Sequence, residues 1–384
     1  MSRQSLHVSR NGGRAERGAF VVRKSSVFAL AGPAFLGLEF VRFLVQDPKL
    51  YLIVTMLSLC TGLAFFVASI FQKSINKRIL LLAYLFLVLA AVTALQDRNR
   101  TEVDIVFFFS HFGFAWALLC GRLSSRVAFF QTALLLAFFF YHAVIGTNPE
   151  SIFVISRNYI SVLAVLSLSL YLFACQEEKR TPSVILLIAT MTILLWAIGR
   201  AGIISGALFL LGSFLTSGKR YAAAFTFALL LVALSIMYFS NFDTKLDLFR
   251  SLSVGIERFQ RLSIEGQRTS INIEYWEAIS TAPMSLLFGA PIDNIRAIVE
   301  VDGNPHNSLI NLHIFAGIFG VILFFGLVLH ALLILCRNNQ FLIALMLFVA
   351  IFRSLLDSTA FQGQLDVPIL LALFAAFSLR HQGN

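Results

Sequence analysis

Apolar runs of about 20 residues, one after another, constrain this chain more than any other feature of its sequence. A helix of that length is about 30 Å long, enough to cross the hydrocarbon core of a bilayer. Inside lipid every backbone N–H and C=O needs a partner within the chain, so an apolar run crosses as a helix. The runs fall at 26–46, 50–71, 79–96, 105–120, 127–145, 158–175, 183–199, 201–216, 221–240, 309–335, 341–356 and 367–380. The expected fold is therefore an all-α polytopic membrane protein with about twelve transmembrane helices. Composition agrees: 58% of residues are hydrophobic and 13% charged, against about 25% charged in a soluble domain. The runs at 183–199 and 201–216 meet at a tight turn around Gly199 and Arg200 and read as a helical hairpin. The first run contains Pro33, Glu39 and Arg42, and the two charges, three residues apart, can pair on one helix face. The last run is short.

Charge placement sets the orientation. Residues 1–24 are polar and basic and read as a disordered cytoplasmic tail, ahead of a single transmembrane domain at 25–384. No apolar stretch fits between Lys24 and Ala29, so a signal peptide is not expected. The connections at 72–78, 121–126, 176–182, 217–220 and 337–340 all carry Lys or Arg, and their only acids are Glu177 and Glu178. The alternate connections hold most of the acids: 47–49, 97–104, 146–157, the turn at Arg200, 241–307 and 357–366. By the positive-inside rule both termini are cytoplasmic, and the long loop 241–307 is extracytoplasmic. A net charge of +10 would also fit a nucleic-acid binder. Clusters between apolar runs speak for membrane orientation instead, so nucleic acid is not an expected partner. Cys60, Cys120, Cys175 and Cys336 lack metal-site spacing and are expected to be structural and unpaired.

The long loop is the one extended polar segment and carries two helical stripes. Residues 247–264 place Leu248, Leu252, Ile256 and Phe259 at helical spacing. Ile271, Tyr275, Ala278 and Ile279 form a second stripe, stopped by Pro283. Both read as short amphipathic helices lying on the membrane surface or on the bundle. The groups able to do chemistry lie in or near this loop. Arg200 opens a span whose N-terminus faces outward, where free N–H groups, the helix dipole and a guanidinium fork together suit a phosphate. Arg268 alone reads as a surface charge, and Trp276 as an aromatic on the same segment. Pro305 stops any preceding helix, and Asn307 or Ser308 can cap the next. This holds His306 at a helix N-terminus that disfavours imidazolium, so a neutral, proton-accepting ring is expected there. His313, seven residues on, reads as a packing or lining residue. Arg353, near an outer span end, pairs with Asp357 or adds to an anion site. No P-loop, nucleophile elbow, dinucleotide fingerprint or metal motif is present, so neither cofactor nor metal is expected. Phosphate-suited groups on one membrane face point to an anionic, membrane-bound substrate such as a lipid-linked diphosphate.

Three segments carry a resemblance: GRAGIISGALFLLGSFL, RTSINIEYWEAISTAPMSLLFGAP and PHNSLINLHIFAGIFGVILFFGLV. In their order and spacing they resemble the O-antigen ligase and polymerase superfamily of bacterial envelope glycan enzymes. The likeness spans about residues 183–335. The turn at 287–291 departs from it, carrying one glycine where the family often has two. The resemblance implies a bacterial inner-membrane enzyme that transfers a glycan from an undecaprenyl-diphosphate carrier without metal or nucleotide sugar. The acceptor would be the lipid A core for a ligase, or a growing glycan for an O-antigen or exopolysaccharide polymerase. By the same resemblance Arg200 and Arg268 would hold the diphosphate and the leaving-group charge, and His306 would activate the acceptor hydroxyl. Apart from the resemblance, Trp276, Asn307, His313 and Arg353 are expected as further substrate-binding residues. A secondary transporter is the alternative class; it would place ionisable groups near the membrane midplane, where this chain has almost none.

Overall fold

The computed structural model describes residues 26–71, 84, 101–153, 158–197, 200–216, 267–280, 283–289, 307–357, 359–361 and 363–379. These residues are almost wholly helical. A 3-10 turn at Ser26–Leu30 leads into α1 (Ala31–Leu44) and α2 (Pro48–Phe71). After these come α3 (Thr101–Gly121), α4 (Ser125–Val144), a single helical turn Pro149–Ile152, α5 (Asn158–Glu177), α6 (Val184–Trp196) and α7 (Arg200–Thr216). Two helices of the long loop follow, the polar α8 (Gln267–Ser280) and the short apolar α9 (Pro283–Phe288), then α10 (Ser308–Arg337), α11 (Phe341–Leu356) and α12 (Asp366–Ser378). Among the described residues, four segments are long and apolar enough to cross a membrane: α2, α4, α5 and Ala316–Arg337 of α10. Five shorter apolar helices accompany them: Ile105–Gly121, Val184–Trp196, Ala201–Thr216, Phe341–Leu356 and Asp366–Ser378. The expected runs at 79–96 (apart from Tyr84) and 221–240, and the stripe at 247–264, lie outside the described residues.

Burial separates centre from periphery. α5 is enclosed on every side: 89% of its most apolar window is buried, against 22% for α2. A helix apolar all round is stable only when surrounded by other helices or by lipid. α5 takes the first place, packed on α1, α4, α6, α7 and α11. α2 takes the second, presenting Leu52, Ile53, Met56, Val67 and Phe71 outward. Exposed apolar faces like this are what a bilayer covers.

Small residues let the helices close. A β-carbon on Gly113 of α3 would strike the carbonyl oxygen of Gly62 on α2, so the two backbones touch with no side chain between them. The expected hairpin forms: Gly202 and Gly206 of α7 lie against Ser161 of α5 and against Met191 and Leu194 of α6. Some hydroxyls inside the bundle are satisfied within their own helix. Thr132 donates to the Ala128 carbonyl at 2.8 Å, and Thr190 to that of Leu186 at 2.8 Å. Glu39 and Arg42 form the expected pair, 2.6 Å apart and buried near the end of α1. All four cysteines are free.

One run divides differently from its sequence pattern. The expected span at 309–335 is broken at Gly317, which stands at φ 61°, ψ −171° inside α10. Residues 308–316 form a separate helical piece, and the membrane-length segment begins at Ala316. The break exists because α9 crosses there: a β-carbon on Gly317 would overlap the Leu287 carbonyl oxygen and stand 2.7 Å from the Phe288 Cα.

Candidate functional site

Contacts between helix ends assemble one polar region. Ser161, in the first turn of α5, accepts a hydrogen bond from the Arg353 guanidinium near the end of α11 at 3.2 Å. Gly202, in the first turn of α7, presses on the Ser161 side chain, 2.5 Å from where a β-carbon would stand. Arg353 is 1% exposed and lies 3.4 Å from Asp357, its expected partner. Two buried charges at this spacing are tolerable only as a pair, because either alone would carry its full desolvation cost. The Ser308 hydroxyl closes the ring. It donates to the Asp357 carbonyl at 2.9 Å and accepts from the Thr359 and Ala360 N–H groups at 3.0 Å. The Tyr159 ring at the start of α5 lies 4.3 Å, centroid to centroid, from that of Phe43. The N-termini of α5, α7 and α10 thus meet the C-terminal end of α11.

Asn307 caps α10 through its side-chain oxygen, which accepts from the Leu309 N–H at 2.8 Å. That leaves His306 immediately before the cap, outside the described residues. Arg200 is the first residue of α7 and Arg268 the second of α8. Their backbones are therefore placed: Arg200 stands two residues before the Gly202 contact, and Arg268 two turns before Tyr275.

The two helices of the long loop dock on the first piece of α10. Tyr275 and Ile279 of α8 bury against Ile310 and Ile314, with Trp276 and Leu286 packed alongside. This stripe lies on the bundle, the second of the two expected placements. His313 sits at the centre, fully buried. Its Nε2 is 2.9 Å from the Leu286 carbonyl and its Nδ1 2.8 Å from the Tyr275 hydroxyl. A carbonyl only accepts, so Nε2 carries a hydrogen, and Nδ1 pairs with the Tyr275 hydroxyl. The Trp276 ring crosses the imidazole edge-on, centroids 5.0 Å apart. Gly289 ends α9 at φ 92°, its N–H returning to the Ser285 carbonyl at 2.9 Å.

A cavity lies beneath the α10 cap, lined by Ser308, Leu312, Phe324, Ser354 and Phe361 among others. It gives the centre of a water molecule about 10 Å³ of room, about one water's worth. Among the described residues no three His, Cys, Asp or Glu side chains cluster as metal ligands.

Ser161, Ser308, Asp357 and Tyr275 are contributors that sequence reasoning did not assign to the site. Tyr275 carried a readable signal, since it shares the apolar stripe of α8 while bearing a hydroxyl. Ser161 carried none, being one of several serines in an apolar run. A separate polar pair, His111 on α3 and Asp366 at the start of α12, lies 3.0 Å apart; Asp366 also accepts from the Phe361 and Gly363 N–H groups. Comparison with protein-family models, with curated proteins and with solved structures gives no match.

Proposed function

We propose that this chain is a multi-pass enzyme of the bacterial inner membrane that transfers a glycan from an undecaprenyl-diphosphate carrier to an acceptor hydroxyl. The acceptor in this reading is a sugar of the lipid A core. The observation that carries the proposal is the meeting of the α5, α7 and α10 N-termini with Arg353 and Asp357 at one end of the bundle. Helix N-termini present free N–H groups and positive dipole ends, and Arg200 opens one of them. The contacts also sort as the connections do by charge. Ser125 bonds Glu178, and Gln176 donates to the Asn339 carbonyl, joining three of the basic connections at the other end. In the proposed topology about twelve spans cross the membrane, both termini are cytoplasmic and the site faces the periplasm.

The reaction is a single displacement with inversion. The acceptor oxygen attacks the anomeric carbon, its bond to the diphosphate breaks, and the hydroxyl proton passes to His306. Polyprenyl diphosphate leaves with its added negative charge facing Arg200 and Arg268. No metal takes part, so a chelator leaves the rate unchanged. Arg353, held by Ser161 and Asp357, supports the wall behind Arg200. The test is deletion of the gene followed by gel analysis of surface glycan. A bare lipid A core with accumulated lipid-linked polymer is expected. A core bearing a single repeat would reassign the enzyme as a polymerase, and unchanged surface glycan would refute the reading.

A further inference from the structure

The Tyr275–His313 contact sits in a register that a purely packing pair would not need. Tyr275 lies seven residues, about two helical turns, after Arg268 on α8, and His313 lies in the second turn of α10, whose cap residue Asn307 directly follows His306 in sequence. Both side chains are fully buried. They are joined by a 2.8 Å hydrogen bond, and the same imidazole holds the Leu286 carbonyl at 2.9 Å. One ring therefore clasps α8 with one nitrogen and α9 with the other. The Gly317 break lets α9 approach closely enough for this, because any side chain there would collide with Leu287. A buried histidine whose only task was to fill space would be replaced by leucine without loss. This one uses both nitrogens on two separate helices of the long loop.

We infer that His313, through Tyr275 and the Leu286 carbonyl, is a positioning residue that sets the Arg268 helix against the His306 end of α10. This rests on the transfer reading above. It assigns His313 no contact with substrate: the ring is spent on protein partners, and its effect on the reaction passes through the placement of α8. Transition-state geometry is far more sensitive to such placement than ground-state binding is. Loosening the clasp should therefore lower turnover while leaving donor affinity nearly intact.

The test uses full-length protein in proteoliposomes, with the four cysteines replaced by serine. Tyr275→Phe removes one oxygen and keeps the ring, so it preserves the packing. Turnover, read as release of polyprenyl diphosphate, is expected to fall about tenfold, the loss of one buried hydrogen bond, with donor KM within about twofold. His313→Leu is expected to fall further, and the double variant no further than His313→Leu alone, because the two act as one unit. Spin labels at Glu277→Cys and Leu329→Cys read the docking directly. One narrow distance is expected in the parent protein and a broadened distribution in Tyr275→Phe. Parent-level turnover in Tyr275→Phe, an unchanged narrow distance, or losses that multiply in the double variant would each overturn the inference. A parent protein that releases no polyprenyl diphosphate would overturn the transfer reading itself, and the distances would then decide the clasp by themselves.

Discussion

Replacing Gly317 by alanine should undock α9. The backbone there, φ 61° and ψ −171°, belongs to a region that residues with a side chain scarcely enter. Forcing it costs about 1–3 kcal/mol before any contact is counted. The new methyl would also overlap the Leu287 carbonyl oxygen and stand 2.6 Å from the Leu287 carbonyl carbon. These atoms are backbone and cannot swing aside as a side chain end would. Either α10 straightens or α9 lifts, and both outcomes break the His313–Leu286 bond. Taking about 3 kcal/mol for the total, the ratio of docked to undocked α9 falls about 100-fold. Hydrogen exchange reads this directly, because a six-residue helix has no stability of its own once undocked. The amides of residues 284–289 should exchange about 100-fold faster in Gly317→Ala. Gly326→Ala in the same helix is the control: no atom lies within 4 Å of its β-carbon position, so exchange there should not change. Parent-like protection of 284–289 in Gly317→Ala would refute the packing argument.

Asp357→Ala removes the carboxylate that balances the buried Arg353 guanidinium and should cost about 3–5 kcal/mol in detergent unfolding; a cost below about 1 kcal/mol would mean the pair is not a structural charge balance. Gly113→Ala must force α2 and α3 apart, because the methyl meets the Gly62 carbonyl oxygen, whereas Gly37→Ala meets nothing within 4 Å. Thermal inactivation should separate the two, with Gly113→Ala much the more labile. Glu178 accepts the Ser125 N–H at 3.0 Å and its hydroxyl at 2.5 Å. Burial, the largest single influence, pushes its carboxyl up, but these bonds and Arg180 together outweigh it and hold the group below its ordinary 4.5. A depressed carboxylate stabilises fully above its ordinary value, and that stabilisation is lost as pH falls through the lowered one. The difference in unfolding temperature between parent and Glu178→Gln should be constant at neutral pH and shrink in acid below the ordinary value; a difference that grew in acid would contradict the contacts.

The membrane-scale pattern was legible because it rests on long-range regularities. Ten of the expected apolar runs are helices among the described residues, and the Glu39–Arg42, Arg353–Asp357 and Asn307 cap pairings follow from spacing along one helix. The break at Gly317 was not legible, since Gly317 lies in an unbroken apolar run and its conformation is set by α9, which is distant in sequence. The Ser161–Arg353 bond was hidden for the same reason, its partners being 192 residues apart. His313 shows the limit most clearly. Its position on the inward face of α10 could be read, but not that both nitrogens would be taken by helices of the long loop.

The central claim is that a lipid-linked diphosphate is the glycan donor at the end of the bundle where α5, α7, α10 and α11 meet. The most direct measurement reconstitutes the purified protein with an undecaprenyl-diphosphate-linked glycan and lipid A core, and follows release of undecaprenyl diphosphate in the parent and in Arg200→Ala, Arg268→Ala and His306→Ala. The account predicts one diphosphate released per glycan transferred by the parent, and loss of both in each variant at unchanged folded yield. Release by the parent that persists undiminished in all three variants, or no release by folded parent protein, would contradict it.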